Sequence, residues 1–115
     1  MSDVSNSLEQ DLGQLELDER GYLTRRDQWQ RWVAERMAAD DEVDLTAAHW
    51  EIIEFLQGYY EEFKMAPPMR VLVKAVAVRL GSEKGESRYL YRLFPDGPAK
   101  QACRYAGLPR PVSCI

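Results

Sequence analysis

The sequence has few of the residues from which metal centres and most catalytic sites are built, with two cysteines and one histidine. Cys103, Cys114 and His49 lack the paired spacing of zinc ligands, so neither a metal nor a cofactor is predicted. Glycine-rich phosphate loops and the G-x-S-x-G turn are also missing, which excludes the mechanisms that depend on them. His49, beside Trp50 at the start of a predicted helix, is interpreted as a capping or packed residue.

Long apolar segments are missing as well. No run approaches the roughly 18 residues that cross a bilayer, and the N-terminus lacks the basic start and apolar stretch of a secretory signal. With 45% apolar and 30% charged residues, the chain is expected to be one soluble domain over residues 1–115, located in the cytoplasm. Because that compartment keeps thiols reduced, the cysteines predict transient sulfur chemistry and not a permanent disulfide.

The charges are divided unevenly along the chain. Residues 1–63 carry 5 basic and 16 acidic side chains, a net charge of −11, whereas residues 64–115 carry 10 basic and 3 acidic side chains, a net charge of +7. Such a split permits a basic face, and a winged-helix-like DNA-binding regulator is therefore the rival hypothesis. Arg70, Lys74 and Arg88 are scattered among apolar residues and form no clear recognition helix, so direct nucleic acid binding is not expected.

The pattern of apolar residues predicts an α+β, mainly α fold: a helical bundle with a small N-terminal β-hairpin and a flexible C-terminal arm. Residues 1–13 have few large apolar side chains and are expected to form a mobile tail. Leu15, Leu17, Tyr22 and Leu23 flank a turn that contains Gly21, which favours the hairpin.

Helical spacing of apolar residues then follows almost to the end of the chain. The longest amphipathic run, interpreted as the central helix, starts at Thr46 and ends near Pro67 and Pro68, which cannot continue a helix. Gly81 and Gly107 suit the ends of two later helices. The predicted helices cover residues 27–40, 46–66, 69–80, 87–94 and 98–107, followed by the arm at residues 108–115.

The C-terminal arm carries a thiol at the next-to-last position, Cys114, and is stiffened by Pro109 and Pro111. Cysteine reacts as the thiolate, and nearby positive charge lowers its pKa. The nearest cations in sequence are Lys100, Arg104 and Arg110. We therefore expect Cys114 to be reactive, and Cys103, within a helix eleven residues earlier, to be at least half buried.

A recognisable pattern is formed by the continuous stretch 85–103, by 106–111 and by Cys114. It also takes in several shorter segments, namely 21–23, 45–46, 49–50, 59–62 and 70–75. In these residues, over nearly everything after the tail, the chain resembles the DsrC/TusE family of sulfur-relay proteins, which is related to the gamma subunit of dissimilatory sulfite reductase.

The resemblance implies a sulfurtransferase that acts as a protein co-substrate. Its penultimate cysteine, Cys114, is expected to carry sulfur as a persulfide, and Cys103 to act as the resolving cysteine that forms a disulfide with it. The implied donor is a TusBCD/DsrEFH-like complex, and the implied acceptor is either an MnmA-like tRNA thiolase or dissimilatory sulfite reductase. Cys103 favours the sulfite reductase branch, whereas the ending from Ser113 to Ile115 departs from the Gly-Cys-Val ending associated with it, so both branches stay open.

Overall fold

The computed structural model describes Gly13 and residues 15–111; residues 1–12, Gln14 and 112–115 lie outside it. The predicted tail therefore lies outside the described residues except for Gly13, as does the end of the arm with Cys114. None of the helices in the described part is long and apolar enough to cross a membrane. After a 3-10 turn at Arg26–Gln28, the helices are α1 (Arg31–Asp40), α2 (Ala47–Phe63), α3 (Met69–Leu80), α4 (Ser87–Leu93) and α5 (Pro98–Tyr105).

Local signals in the sequence set these helix boundaries. Helix α3 begins directly after Pro68 and ends before Gly81, as predicted, because proline removes a backbone donor and glycine tolerates a φ of 114°. Helix α2 begins after Thr46, whose backbone N–H donates to Nδ1 of His49 at 3.0 Å. The other ring nitrogen of His49 lies 2.8 Å from the carbonyl oxygen of Leu93. His49 is thus confirmed as a capping residue, and it also joins the start of α2 to the end of α4.

The predicted N-terminal β-hairpin is wrong. Leu17 and Leu23 form one isolated antiparallel bridge, and residues 15–111 contain no strand or sheet. The carboxylate of Asp18 accepts backbone hydrogen bonds from Arg20 at 2.8 Å and Tyr22 at 2.9 Å, which folds residues 18–22 into a compact turn. The chain then enters the 3-10 turn, so pairing cannot extend, and the fold of the described residues is helical and not α+β.

The winged-helix-like hypothesis loses its structural basis with the hairpin. A wing is a β-hairpin beside the recognition helix. Residues 15–111 contain no hairpin, only the single bridge between Leu17 and Leu23. We call residues 17–23 the N-terminal turn. Weak or absent DNA binding stays a prediction.

The packing centre of the molecule is the short helix α5. Helices α1, α2, α3 and α4 all pack against it. Most of its side chains are buried, including Ala102, Cys103 and Tyr105. The longest helix, α2, was expected to be central, but α5 makes the contacts that join the bundle. Cys103 is therefore a buried residue of the helix against which the four other helices pack.

Candidate functional site

Cys103 lies on α5 with its side chain completely buried, at 0% exposure. This confirms the expectation that it is at least half buried. Burial removes water from around the thiolate and raises the pKa of the Cys103 thiol to about 12. In the described conformation the thiol is therefore protonated at neutral pH and out of contact with solvent.

A chain of hydrogen bonds fixes α5 in the core. The hydroxyl of Tyr105 donates to the carboxylate of Asp41 at 2.7 Å and accepts from the Gln101 amide at 2.8 Å. The amide oxygen of Gln101 accepts from the backbone N–H of Asp96 at 2.8 Å. Arg104 forms an ion pair with the same Asp41 carboxylate. Burial is the main reason that the pKa of Tyr105 is raised, and the neighbouring Asp41 raises it further.

The end of α5 is a tight reversal at Gly107, which has a φ of 77°. The backbone N–H of Gly107 donates to the carbonyl of Arg104 at 3.2 Å, and that of Leu108 donates to the carbonyl of Cys103 at 3.0 Å. This pair of bonds is the Schellman motif, which closes a helix through a left-handed residue. Leu108 is fully buried, so the chain reaches the surface at Pro109, one residue after the predicted start of the arm.

Side chains from two other segments satisfy the last carbonyls of this reversal. The indole N–H of Trp29 donates to the carbonyl of Tyr105 at 2.7 Å. The amide of Gln57, on α2, donates to the carbonyl of Ala106 at 3.0 Å. Because helix carbonyls without partners are costly when buried, these two bonds fix the point from which the arm leaves the body.

The described part of the arm follows a basic groove of 860 Å³, here called the arm groove. Cys103 is not among its lining residues. Its walls come from the N-terminal turn, α5 and the arm, and include Asp18, Arg20, Tyr22, Lys100, Arg110 and Pro111. Arg26 also lines it but forms an ion pair with Glu61 at 2.9 Å, so Arg20, Lys100 and Arg110 supply the positive charge that exceeds the carboxylate of Asp18. The arm groove therefore favours a negatively charged group, such as a thiolate, on the segment that enters it.

The structure brings some of the predicted site residues together and separates others. Lys100 and Arg110, two of the three cations expected near the thiol, line the arm groove, whereas Arg104 is paired with Asp41. Cys103 lies beneath the surface, and Cys114 lies outside the described residues.

The sequence analysis missed the contributors to the arm groove from the N-terminal part of the chain, among them Arg20, Tyr22 and Arg26. They lie more than 70 positions before Lys100. For Tyr22 the one signal was the segment 21–23 that takes part in the family resemblance, and for the two arginines there was none. No group of three metal-ligating side chains lies together among residues 15–111.

Comparison with known proteins gives consistent matches over most of the chain. The model of the family described as DsrC like protein matches residues 9–115. Sulfurtransferase TusE of Photorhabdus laumondii is 52% identical over 102 residues, which cover 89% of this chain and 92% of that protein. Sulfurtransferase TusE of Salmonella typhimurium is 51% identical over 102 residues, covering 89% of this chain and 94% of that protein.

Solved structures of DsrC are similar in fold and in sequence. The NMR structure of Allochromatium vinosum DsrC has a TM-score of 0.80 and 56% identity, covering 88% of this chain and 90% of that one. The crystal structure of the oxidized gamma subunit of dissimilatory sulfite reductase, DsrC, from Archaeoglobus fulgidus has a TM-score of 0.74 and 42% identity. The match covers 88% of this chain and 92% of that one. The helical bundle described above is therefore shared with these proteins.

Proposed function

Because the chain belongs to the family of DsrC-like proteins, we propose that it works in sulfur relay by carrying sulfur as a persulfide on Cys114. The observation that carries this proposal is the position of Cys103, which is fully buried and has a pKa raised to about 12. A carrier must meet both donor and acceptor at its surface. The chain has only two cysteines, so this role falls to Cys114.

Uptake of sulfur is a transfer between two sulfur atoms. The Cys114 thiolate attacks the outer sulfur of a donor persulfide, a new S–S bond forms on Cys114, and the donor cysteine leaves as its thiolate. Lys100 and Arg110 lie in the arm groove, where their positive charge favours the thiolate of a cysteine that enters it. Pro111 lines the groove, and three residue steps from it span up to about 10 Å, so Cys114 can reach these cations.

Release of sulfur follows one of two courses. The acceptor enzyme takes the outer sulfur directly, or the Cys103 thiol displaces it. In the second course Cys103 and Cys114 form a disulfide, and the outer sulfur leaves as hydrogen sulfide with the two protons of the thiol and the persulfide. The outer sulfur is thereby reduced to sulfide and the Cys103 sulfur is oxidised to the disulfide, while the Cys114 sulfur exchanges one S–S bond for another, so Cys103 acts as the resolving cysteine.

The names of the relatives support partners in sulfur relay and sulfite reduction, and the specific partners are part of the proposal. Proteins called TusE and proteins called DsrC match this chain at 52% and 56% identity, so the two branches are supported to a similar extent. The donor is proposed to be a TusBCD/DsrEFH-like complex. The acceptor is an MnmA-like tRNA thiolase, which would use the sulfur for wobble-uridine 2-thiolation, or dissimilatory sulfite reductase. The protein is proposed to work in the cytoplasm, as a co-substrate of these enzymes.

Sulfur loading gives a direct test. After incubation with a persulfide donor, intact-mass spectrometry should show the parent protein heavier by one sulfur atom, and the same increase in Cys103→Ser. Cys114→Ser should show no increase, because its remaining thiol is buried. Equal loading of Cys114→Ser would place the carrier on Cys103 and contradict the proposal.

Oxidation tests the resolving role separately. Mild oxidation of dilute protein should join Cys103 and Cys114 within one molecule, as mapped by mass spectrometry under non-reducing conditions. The entropic cost of closing a loop of this size is about 3 kcal/mol, which thiol exchange can offset while the bond stays reversible. If only intermolecular dimers through Cys114 form, and Cys103→Ser behaves like the parent, Cys103 is a packing residue and the carrier works with one cysteine.

A further inference from the structure

Cys103 is a neighbour of Lys100 on the surface of α5. Residues three positions apart lie side by side on a helix, so the Cys103 side chain lies next to that of Lys100, which lines the arm groove. Lys100 is exposed, but the thiol beside it is completely covered. The cover on the side of Lys100 must come from a segment that packs on this part of α5.

The N-terminal turn lies on this face. The hydroxyl of Tyr22 donates to the backbone carbonyl of Lys100 at 3.1 Å. In an α-helix that carbonyl points one turn onward, to the level of residue 104. Next to Tyr22, a methyl group added at Gly21 would lie 3.7 Å from Cδ of Arg104. The turn therefore packs on the part of α5 that contains Cys103.

Tyr22 lines the arm groove and belongs to the same buried hydrophobic cluster as Cys103, and its exposure is only 6%. Burial is the main reason that the pKa of Tyr22 is raised; a charged Cys103 raises it further, and Arg104 and Arg110 lower it. The hydroxyl thus lies within electrostatic range of the thiol and of both cations.

We propose that the Tyr22 side chain is a gate that closes Cys103 off from the arm groove and must swing out before Cys103 can react with a sulfur carried on Cys114. This positioning role rests on the proposed function. The hydrogen bonds of the turn that carries the gate join its residues to one another, whereas Tyr22 bonds to Lys100 of α5, so the turn can move as a unit without unfolding the bundle. With the gate open, Cys103 joins Lys100 and Arg110 in the groove, and their charge favours its thiolate.

The gate separates two outcomes for a loaded carrier. While Tyr22 covers Cys103, the thiol cannot displace the outer sulfur as hydrogen sulfide, so the persulfide is kept for the acceptor. Opening of the turn permits the disulfide step described above, which needs only the Cys103 thiol and the Cys114 persulfide and no other oxidant. A partner that contacts the N-terminal turn would therefore control the release of sulfur.

The experiment measures alkylation of Cys103 by iodoacetamide in a Cys114→Ser background, where Cys103 is the only thiol. Tyr22→Phe keeps the ring but loses the bond to Lys100, and should speed alkylation about fivefold, the effect of one hydrogen bond. Tyr22→Ala removes the cover and should speed alkylation about a hundredfold. The rate in the parent should depend only weakly on low denaturant, as expected for a local opening.

Val76→Ala is the matched control, because Val76 is fully buried on α3 and absent from the arm groove. It should lower the melting temperature but leave the alkylation rate within about twofold of the parent. If Val76→Ala speeds alkylation as much as Tyr22→Ala, Cys103 reacts through global unfolding and the gate is wrong. An unchanged rate in Tyr22→Phe and Tyr22→Ala would also overturn it. Since Cys114 is absent, neither result depends on whether Cys114 carries sulfur.

Discussion

Brief treatment of the reduced protein with iodoacetamide should alkylate Cys114 about a thousandfold faster than Cys103. The described conformation contributes almost nothing to the alkylation of Cys103, because there the thiol is inaccessible and its pKa is raised to about 12. Reaction therefore has to pass through an opened form, and an opening that costs about 4 kcal/mol is populated about once in a thousand molecules. Peptide mapping of the label at a series of short times measures both rates in one sample.

Denaturant provides the internal control for this comparison. In strong denaturant both thiols are exposed with ordinary pKa values, and their alkylation rates should come within about tenfold of each other. Preferential labelling of Cys103 in native buffer would reverse the assignment of carrier and resolving cysteine. Equal labelling of the two in native buffer would mean that the cover over Cys103 is open most of the time.

Replacement of Gly107 by alanine should lower the free energy of unfolding by about 3 kcal/mol. The φ of 77° disfavours any residue with a Cβ, and the added methyl group would lie 2.5 Å from Cδ1 and 2.8 Å from Cγ of Trp29. Relief of this clash requires Trp29 to move, which breaks its hydrogen bond to the carbonyl of Tyr105. Urea unfolding followed by circular dichroism measures the change.

Two other glycines separate the causes of this effect. Gly58 lies within α2 and has nothing within 4 Å of an added methyl group, so Gly58→Ala should stabilise the protein by about 0.5 to 1 kcal/mol. Gly97 has a φ of 115° but also open space around it, so Gly97→Ala should cost only the backbone strain, about 1 to 2 kcal/mol. A loss at Gly107 no larger than that at Gly97 would show that Trp29 yields at no cost, and that the reversal does not depend on their close contact.

Local features of the sequence predicted the helices well. Helix α3 was predicted at its observed bounds, because Pro68 and Gly81 act on the backbone of their own neighbours and need no distant partner. His49 was correctly interpreted as a capping residue for the same reason, since its partner Thr46 is three positions away. The resemblance in residues 85–103 was confirmed by the match to the DsrC-like family.

The hairpin was predicted incorrectly because its signal was ambiguous at short range. Alternating apolar residues around a turn favour a strand pair, but the same pattern serves a single bridge. Asp18 decided the outcome by accepting hydrogen bonds from the turn that follows it. Whether pairing continued beyond Leu23 depended on where the 3-10 turn begins, which the apolar pattern does not specify.

The sequence by itself determined the five helices, the ends of those marked by proline or glycine, and which family the chain resembles, because caps, breakers and motifs are read within a few residues. It did not determine that the first helix begins at Arg31 and not at residue 27, or that the longest helix ends at Phe63. Only the tertiary structure decided that the short α5, and not the long α2, is the packing centre, and that Tyr22 binds the backbone of α5 at Lys100. Only it brought Arg20 and Lys100 into one groove. These relations join residues that lie far apart along the chain, and they are decided by which side chains fill the space around α5, a property that no local pattern contains.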